Sequence, residues 1–280
     1  MKRIICIGET VWDIFPDREV LGGAPLNAAC QLRNLGLDVN LISRVGDDRL
    51  GKSARQRIAA LGVPAAGIQV DDKLPTGQVD VCFDERNEPH FEIREPAAWD
   101  NIIYAEAEPL TASPFHLLFG TLGQRGAVSR ATINSLRHRA ELCFYDVNLR
   151  PPFTTRELVE ESMAASYMVK MNKEEFLKIT AWYGFDGRRR EEAGRQLARR
   201  FQIGVLVVTL GADGGWLLSG SEFVEHPGFA VKVVDTVGAG DAFFAAFING
   251  FMAGRPWVEC LSAANRLGSE VASRPGATAV

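Results

Sequence analysis

The sequence predicts an α/β fold: a mostly parallel central sheet with a small, separate β-layer. Three observations predict it. Short, continuously apolar runs alternate with helix-length segments along the 280-residue chain, and strands apolar on both sides belong to parallel sheets covered on both faces. One stretch, 76–100, breaks that rhythm and alternates apolar with polar residues, as a half-buried hairpin does. The composition, 46% hydrophobic and 24% charged, allows one large core plus a small appended element.

The elements follow in order. Arg3–Ile7 reads as a first buried strand, Asn27–Leu35 as a helix and Val39–Ser43 as the next strand. Val11–Val20 is short and leads into Gly22-Gly23. In Thr76–Asp100, Val79, Val81 and Phe83 alternate with polar residues, Glu85–Pro89 turns, and Phe91 and Ile93 alternate again. This hairpin has an apolar face and no room in the main core, so with Val11–Val20 it should form its own layer. The expected division is a core of 1–10, 23–75 and 101–280, and a β-layer of 11–22 and 76–100. Phe115–Phe119, Leu142–Tyr145, Tyr167–Met171 and Val205–Thr209 read as further buried strands. Val128–Arg139, Arg156–Ala165 and Glu191–Phe201 read as the helices between them. Ala242–Met252 and Pro256–Ala272 close the chain.

Charge and cysteines narrow the class. A net charge of −4 argues against a nucleic-acid partner, which needs a basic face. The one basic run, Arg188-Arg189-Arg190, is followed by Glu191 and Glu192 and reads as a solvated helix start. Cys6, Cys30, Cys82, Cys143 and Cys260 are scattered, without a Cys-x-x-Cys pair. They read as free thiols in a reducing, cytoplasmic compartment, with neither disulfides nor structural zinc. No run approaches a membrane span, and the N-terminus does not read as a signal peptide.

The most informative stretch is Asp235-Thr236-Val237-Gly238-Ala239-Gly240-Asp241, which runs into the apolar Ala242–Ile248. The N–H groups at a helix start lack intrahelical partners and carry the positive end of the macrodipole. Small residues let an anion approach them. Asp241 would repel that anion, but it could take a proton from an attacking hydroxyl beside it. An amide cradle of Gly238, Ala239 and Gly240 with Asp241 as general base suits phosphoryl transfer to an alcohol. A capped, buried helix explains the same residues without chemistry.

This segment resembles the C-terminal signature of the ribokinase/PfkB family of sugar and nucleoside kinases, Asp-Thr-x-Gly-Ala-Gly-Asp. Gly22-Gly23-Ala24-Pro25-Leu26-Asn27, continuing to Val45-Gly46-Asp47-Asp48 and Gly51, resembles the family's N-terminal signature. Asp146–Pro151, Asn172–Glu175 and Thr209–Gly214 match more weakly, in the family's order, so the resemblance spans nearly the whole chain. It implies a ribokinase-like three-layer fold whose β-layer is a lid over the sugar.

The resemblance implies roles residue by residue. Asp241 would be the base. Asp13, Gly23 and Asn27 would bind the sugar, although Asn27 could equally be a helix N-cap. Asn172 and Glu175 would lie near the triphosphate, Glu175 reaching magnesium through water. Thr209, Gly211 and Gly214 would line the ATP site at a strand's C-terminal end, with Asn265 near the adenine. Asp235 would bind a monovalent cation such as K+. Arg150, in an Asp-x-Asn-x-Arg-Pro string similar to the fructokinase and 2-keto-3-deoxygluconate kinase branch, could pair with the substrate or the transferring phosphate.

The expected activity is ATP-dependent phosphorylation of a primary hydroxyl, with fructose as the acceptor and a homodimer through the lid. Another sugar, 2-keto-3-deoxygluconate or a nucleoside is the alternative acceptor. A dinucleotide-dependent dehydrogenase is disfavoured because Cys6-Ile7-Gly8-Glu9-Thr10 lacks the glycine fingerprint. A non-catalytic sugar-binding protein is disfavoured by the intact Asp241 and its small-residue cradle.

Overall fold

The structure, a computed structural model, describes residues 3–83, 89–274 and 276. The turn expected over Glu85–Pro89 lies outside them apart from Pro89, and so does the side chain of Phe83.

The strands are β1 (Arg3–Ile7), β2 (Val11–Ile14), β3 (Glu19–Gly22), β4 (Val39–Gly46), β5 (Ile68–Asp71), β6 (Gly77–Phe83), β7 (Pro89–Ile93), β8 (Phe115–Gly120), β9 (Cys143–Asp146), β10 (Met168–Asn172), β11 (Val205–Thr209), β12 (Gly215–Ser219) and β13 (Glu222–His226). The helices are α1 (Ala24–Asn34), α2 (Arg49–Ala60), α3 (Tyr104–Ala107), α4 (Ala127–Arg139), α5 (Arg156–Ala164), α6 (Lys173–Ala181), α7 (Arg190–Phe201), α8 (Ala239–Met252) and α9 (Trp257–Ala272).

The large sheet has the order β13-β12-β11-β10-β9-β8-β1-β4-β5. From β5 to β11 every neighbouring pair is parallel. β12 and β13 extend one edge as an antiparallel hairpin, which apolar periodicity did not single out. Along β1 the side chains alternate between two cores. Ile4 and Cys6 join α1, α2, α8 and α9 on one face, while Ile5 and Ile7 join α4, α5, α6 and α7 on the other. That is the period-2 geometry of a strand buried on both sides. α8 is buried almost all round, from Ala242 to Ile248, as a helix without a polar face must be.

The second sheet has the order β3-β2-β6-β7. β2 runs parallel to β6, and the other pairs are antiparallel. Val11–Ile14 and Glu19–Gly22 thus meet Gly77–Phe83 and Pro89–Ile93 in one small sheet. Part of its apolar face is covered within the chain itself. Val79 and Val11 pack against Ala97, Trp99 and Leu122 of the same chain, and Val81 is also buried. The segment after the hairpin folds back and covers this part, while Phe91 on β7 stays exposed.

One motif is structural. Asp48 caps α2 by accepting from Gly51 N at 2.7 Å. It also accepts from Thr76 N and Thr76 Oγ1 at 2.8 and 2.7 Å. Thr76 Oγ1 in turn accepts from Gly46 N at 2.9 Å. The stretch 46–51 therefore clasps the root of the small sheet to β4 and α2.

Candidate active site

The C-terminal ends of the parallel strands place the chemistry. β1 ends before Glu9, β9 at Asp146, β10 at Asn172 and β11 at Thr209. Asn172 and Thr209 are register partners. α8 starts over this edge, its N-cap Gly238 in the left-handed region at φ 76°. Among the described residues the amides of Gly238, Gly240 and Asp241 find no chain acceptor, whereas Ala239 N donates to Thr236 O at 3.2 Å. The expected cradle is therefore open at Gly238 and Gly240 and engaged at Ala239, with the Asp241 amide in addition.

Asp241 stands in the first turn of α8 and accepts from Asn27 Nδ2 at 2.8 Å. Asn27 lies inside α1, which begins at Ala24 behind an N-cap at Gly23. Asn27 is thus not a cap, and its buried amide reaches across 214 residues of sequence to the base. Burial first, and then the Asp146 carboxylate, push the Asp241 carboxyl up to about 6, against Lys170, Asn27 and Arg150. Gly23 has φ 119°, and a side chain there would meet Glu9 O at 2.4 Å, so only glycine lets α1 start this close to β1.

Two groups beside the base escaped the sequence reading. Glu9 is buried, and among the described residues its Oε2 has no partner. Burial pushes its carboxyl up to about 7, with Asp241 adding to the shift and Arg150 opposing it. Lys170 is buried in the middle of β10, and its Nζ lies 3.0 Å from both Asp146 oxygens. Burial works to lower its ammonium, but Asp146, Asp241 and Glu175 outweigh it and the net shift is upward. A lysine inside the apolar run Met168–Met171 was the available signal. For Glu9 there was none, because it stands just past the end of the first strand with no motif around it.

The other expected residues fall into two groups. Asp13, on β2, is half-buried, and burial followed by Asp235 pushes its carboxyl up to about 6. It stands on β2 of the small sheet, near enough to Asp235 for the two charges to interact. Arg150 is exposed; its Nη1 donates to Leu149 O at 3.0 Å. Asn172 and Glu175 form a reciprocal capping box on α6. The two Glu175 oxygens accept from Leu149 N and Asn172 N, each at 2.8 Å.

Gly211 and Gly214 flank the turn after β11, at φ 63° and 83°. Asp235 accepts from Val237 N and Gly276 N at 2.9 and 3.1 Å. Asn265 is buried on α9, and its Nδ2 donates to Leu261 O at 2.8 Å. The structure thus joins Asn27, Asp241 and the α8 amides into one centre, with Asn172 and Glu175 beside it and the exposed Arg150 acting on Asp241 only through its charge. Asn265 is turned into its own helix.

The profile of the pfkB family carbohydrate kinases matches residues 1–280. A fructokinase of Klebsiella pneumoniae is 29% identical over 268 residues, 90% of this chain and 85% of that protein. Two solved structures are similar at 25% identity. A fructokinase from Vibrio cholerae O395 with fructose, ADP and calcium ion bound has a TM-score of 0.86, covering 99% of this chain and 95% of that one. An uncharacterized sugar kinase from Pyrococcus horikoshii in complex with ATP has a TM-score of 0.85, covering 98% and 94%.

Proposed function

The chain belongs to the pfkB family of carbohydrate kinases, and from that premise we propose that it is an ATP-dependent fructokinase acting on a primary hydroxyl. The contact between Asn27 and Asp241 at the mouth of α8 carries the reading. It sets a proton acceptor beside amides that have no acceptor of their own. An acceptor hydroxyl seated there gives its proton to Asp241. The amides of Gly238, Gly240 and Asp241 and the helix dipole offset negative charge gathering on the group in transit. A carboxyl at about 6 is ionised at neutral pH and is a better base than an ordinary aspartate.

The sugar side is assigned to Asp13, Gly23 and Asn27, joined by Glu9 and Thr10. Among the described residues Glu9 Oε2, Thr10 Oγ1 and Asn27 Oδ1 are buried oxygens without partners, and a polyhydroxylated ligand supplies the hydrogen bonds they lack. The nucleotide side is assigned to Asn172, Thr209, Gly211 and Gly214, with Asn265 offering its Oδ1 and the second N–H of Nδ2.

Magnesium, when bound, neutralises phosphate charge. Each Glu175 oxygen already accepts one amide, so Glu175 would hold a hydrated ion through water. Asp235 would use its remaining lone pairs for a monovalent cation such as K+. The five cysteines are unbonded, which supports a cytoplasmic setting. The expected homodimer now has Phe91, 55% exposed, as its apolar basis on β7, and light scattering at micromolar concentration tests it.

Fructose is favoured by the fructokinase relatives, whereas the Asp146–Pro151 string suits either acceptor. The second reading, 2-keto-3-deoxygluconate, is favoured by the exposed Arg150 guanidinium, which would suit an anionic acceptor. Coupled ADP release over a panel of fructose, other sugars, 2-keto-3-deoxygluconate and nucleosides decides between them. Fructose should lead in kcat/KM by about tenfold or more, the scale of discrimination a few hydroxyl contacts give. A larger value for the sugar acid overturns the first reading in favour of the second.

A further inference from the structure

The ion pair Lys170–Asp146 has no part in the reading above. The two residues are register partners on β10 and β9, and both are buried. A buried ion pair is poor evidence of stabilisation, because desolvating two charges offsets most of their attraction and apolar residues often serve better. Its position is more specific. A side chain at Gly240 would lie 3.0 Å from Lys170 Nζ, so the ammonium fills the space under the first turn of α8.

Lys170 faces carboxylates from three elements: Asp146 of β9, Asp241 of α8 and Glu175 of α6. Around Asp241 stand Asp146, Lys170, Asn27 of α1, Arg150 after β9 and Glu9 after β1. Gly240 is small, then, not only for an approaching anion but also for a cation below it.

We propose that Lys170 is a positioning residue of the phosphoryl-transfer centre, a fixed cation that acts through Gly240 and Asp241, and that Asp146 holds it there. The proposal rests on the kinase reading. Lys170 adds full positive charge beneath amides that already carry the positive end of the helix dipole. It also opposes Asp146 at the base, keeping Asp241 ionised to lower pH.

The test compares wild type, Lys170→Met and the apolar pair K170M/D146L by kcat–pH profile, KM for sugar and ATP, and thermal melt. Lys170→Met should lower kcat on the order of 10²-fold, the scale of removing one preorganised donor, with little change in sugar KM. It should also move the acidic limb of kcat up by about one pH unit, as loss of a nearby opposite charge does. K170M/D146L removes both buried charges, so it folds even if the single variant does not, and it should keep the low kcat.

A merely structural pair predicts the opposite, with melting temperature changing alone. Wild-type kcat in the folded double variant, or an unmoved limb in folded Lys170→Met, overturns the proposal. The kinase reading fails differently: wild type then transfers phosphate from ATP to no sugar, or Asp241→Asn is as active as wild type.

Discussion

Asp241 is held by opposing influences: burial and Asp146 raise its carboxyl to about 6, while Lys170, Asn27 and Arg150 pull it down. In an unfolded chain an aspartate titrates near 4. The protonated form is thus the one the fold favours, and the stability it brings is complete below about pH 4 and lost as pH rises through about 6. Asp241→Asn should therefore raise the melting temperature at pH 7.5 while turnover falls on the order of 10²–10⁴-fold, the range for loss of a general base. Wild-type kcat should decline as pH falls through about 6. Calorimetry and a coupled assay on one preparation check both, and an active variant refutes the base. Gly240→Ala should also lower kcat, because its Cβ would press on Lys170 Nζ. Wild-type turnover in that variant would show that the site tolerates the crowding. Asp241 was legible because helix starts have a local signature. Asn27 was legible as a residue but not in its geometry, since its partner is 214 positions away. Glu9 gains meaning only from strand order, which no local pattern encodes, whereas Lys170 had a local signal as a lysine inside an apolar strand but no legible partner.

At the scale of elements, α6 joins two roles that sequence could not separate. Asn172 reads as a cap and as a nucleotide residue, and the capping box realises the first without removing the second. Its Glu175 accepts two amides, one from α6's own cap and one from the loop after β9. Glu175→Gln can no longer accept both, and a buried donor left unpaired costs about 1–3 kcal/mol, so the melting temperature should fall. If Glu175 also holds hydrated magnesium, the magnesium concentration for half-maximal activity should rise several-fold. A lower melting temperature with unchanged magnesium dependence would leave Glu175 as a cap alone. The same division runs through the other elements. Buried parallel strands were legible because both faces are apolar. α1 begins at Ala24, three residues before the expected start, because Pro25 fits the first turn of a helix. α2 was missed, its buried residues being only Leu50, Gly51, Ala54 and Ile58.

For the whole molecule, the question is how a core that cannot exclude water by itself protects a reactive phosphoryl group. The α8 amides and Asp241 lie beyond the C-terminal ends of the parallel strands, and Asp13 stands on β2 of the small sheet. Its carboxyl feels Asp235 of the core, so the two parts share one electrostatic site. The clasp of Asp48, Thr76 and Gly46 fixes the root of that sheet, and Trp99 is buried beneath it. Both must be kept in any test of the layer's role. Arg94 N donates to Gln78 O at 3.0 Å, so the ends of the hairpin are close enough to be joined. Replacing residues 78–93 with a short Gly-Ser bridge between Gly77 and Arg94 should therefore leave the core folded. We expect the shortened protein to bind ATP nearly as wild type does and to show a raised sugar KM. It should also hydrolyse more ATP per sugar phosphorylated, because water reaches the phosphoryl group when closure is lost. Circular dichroism establishes folding, and the ratio of ADP released to sugar phosphate formed measures the leak. Wild-type sugar affinity and full coupling in the folded, shortened chain would refute the lid. The small sheet would then be a surface layer whose apolar face exists only to cover Trp99 and Leu122.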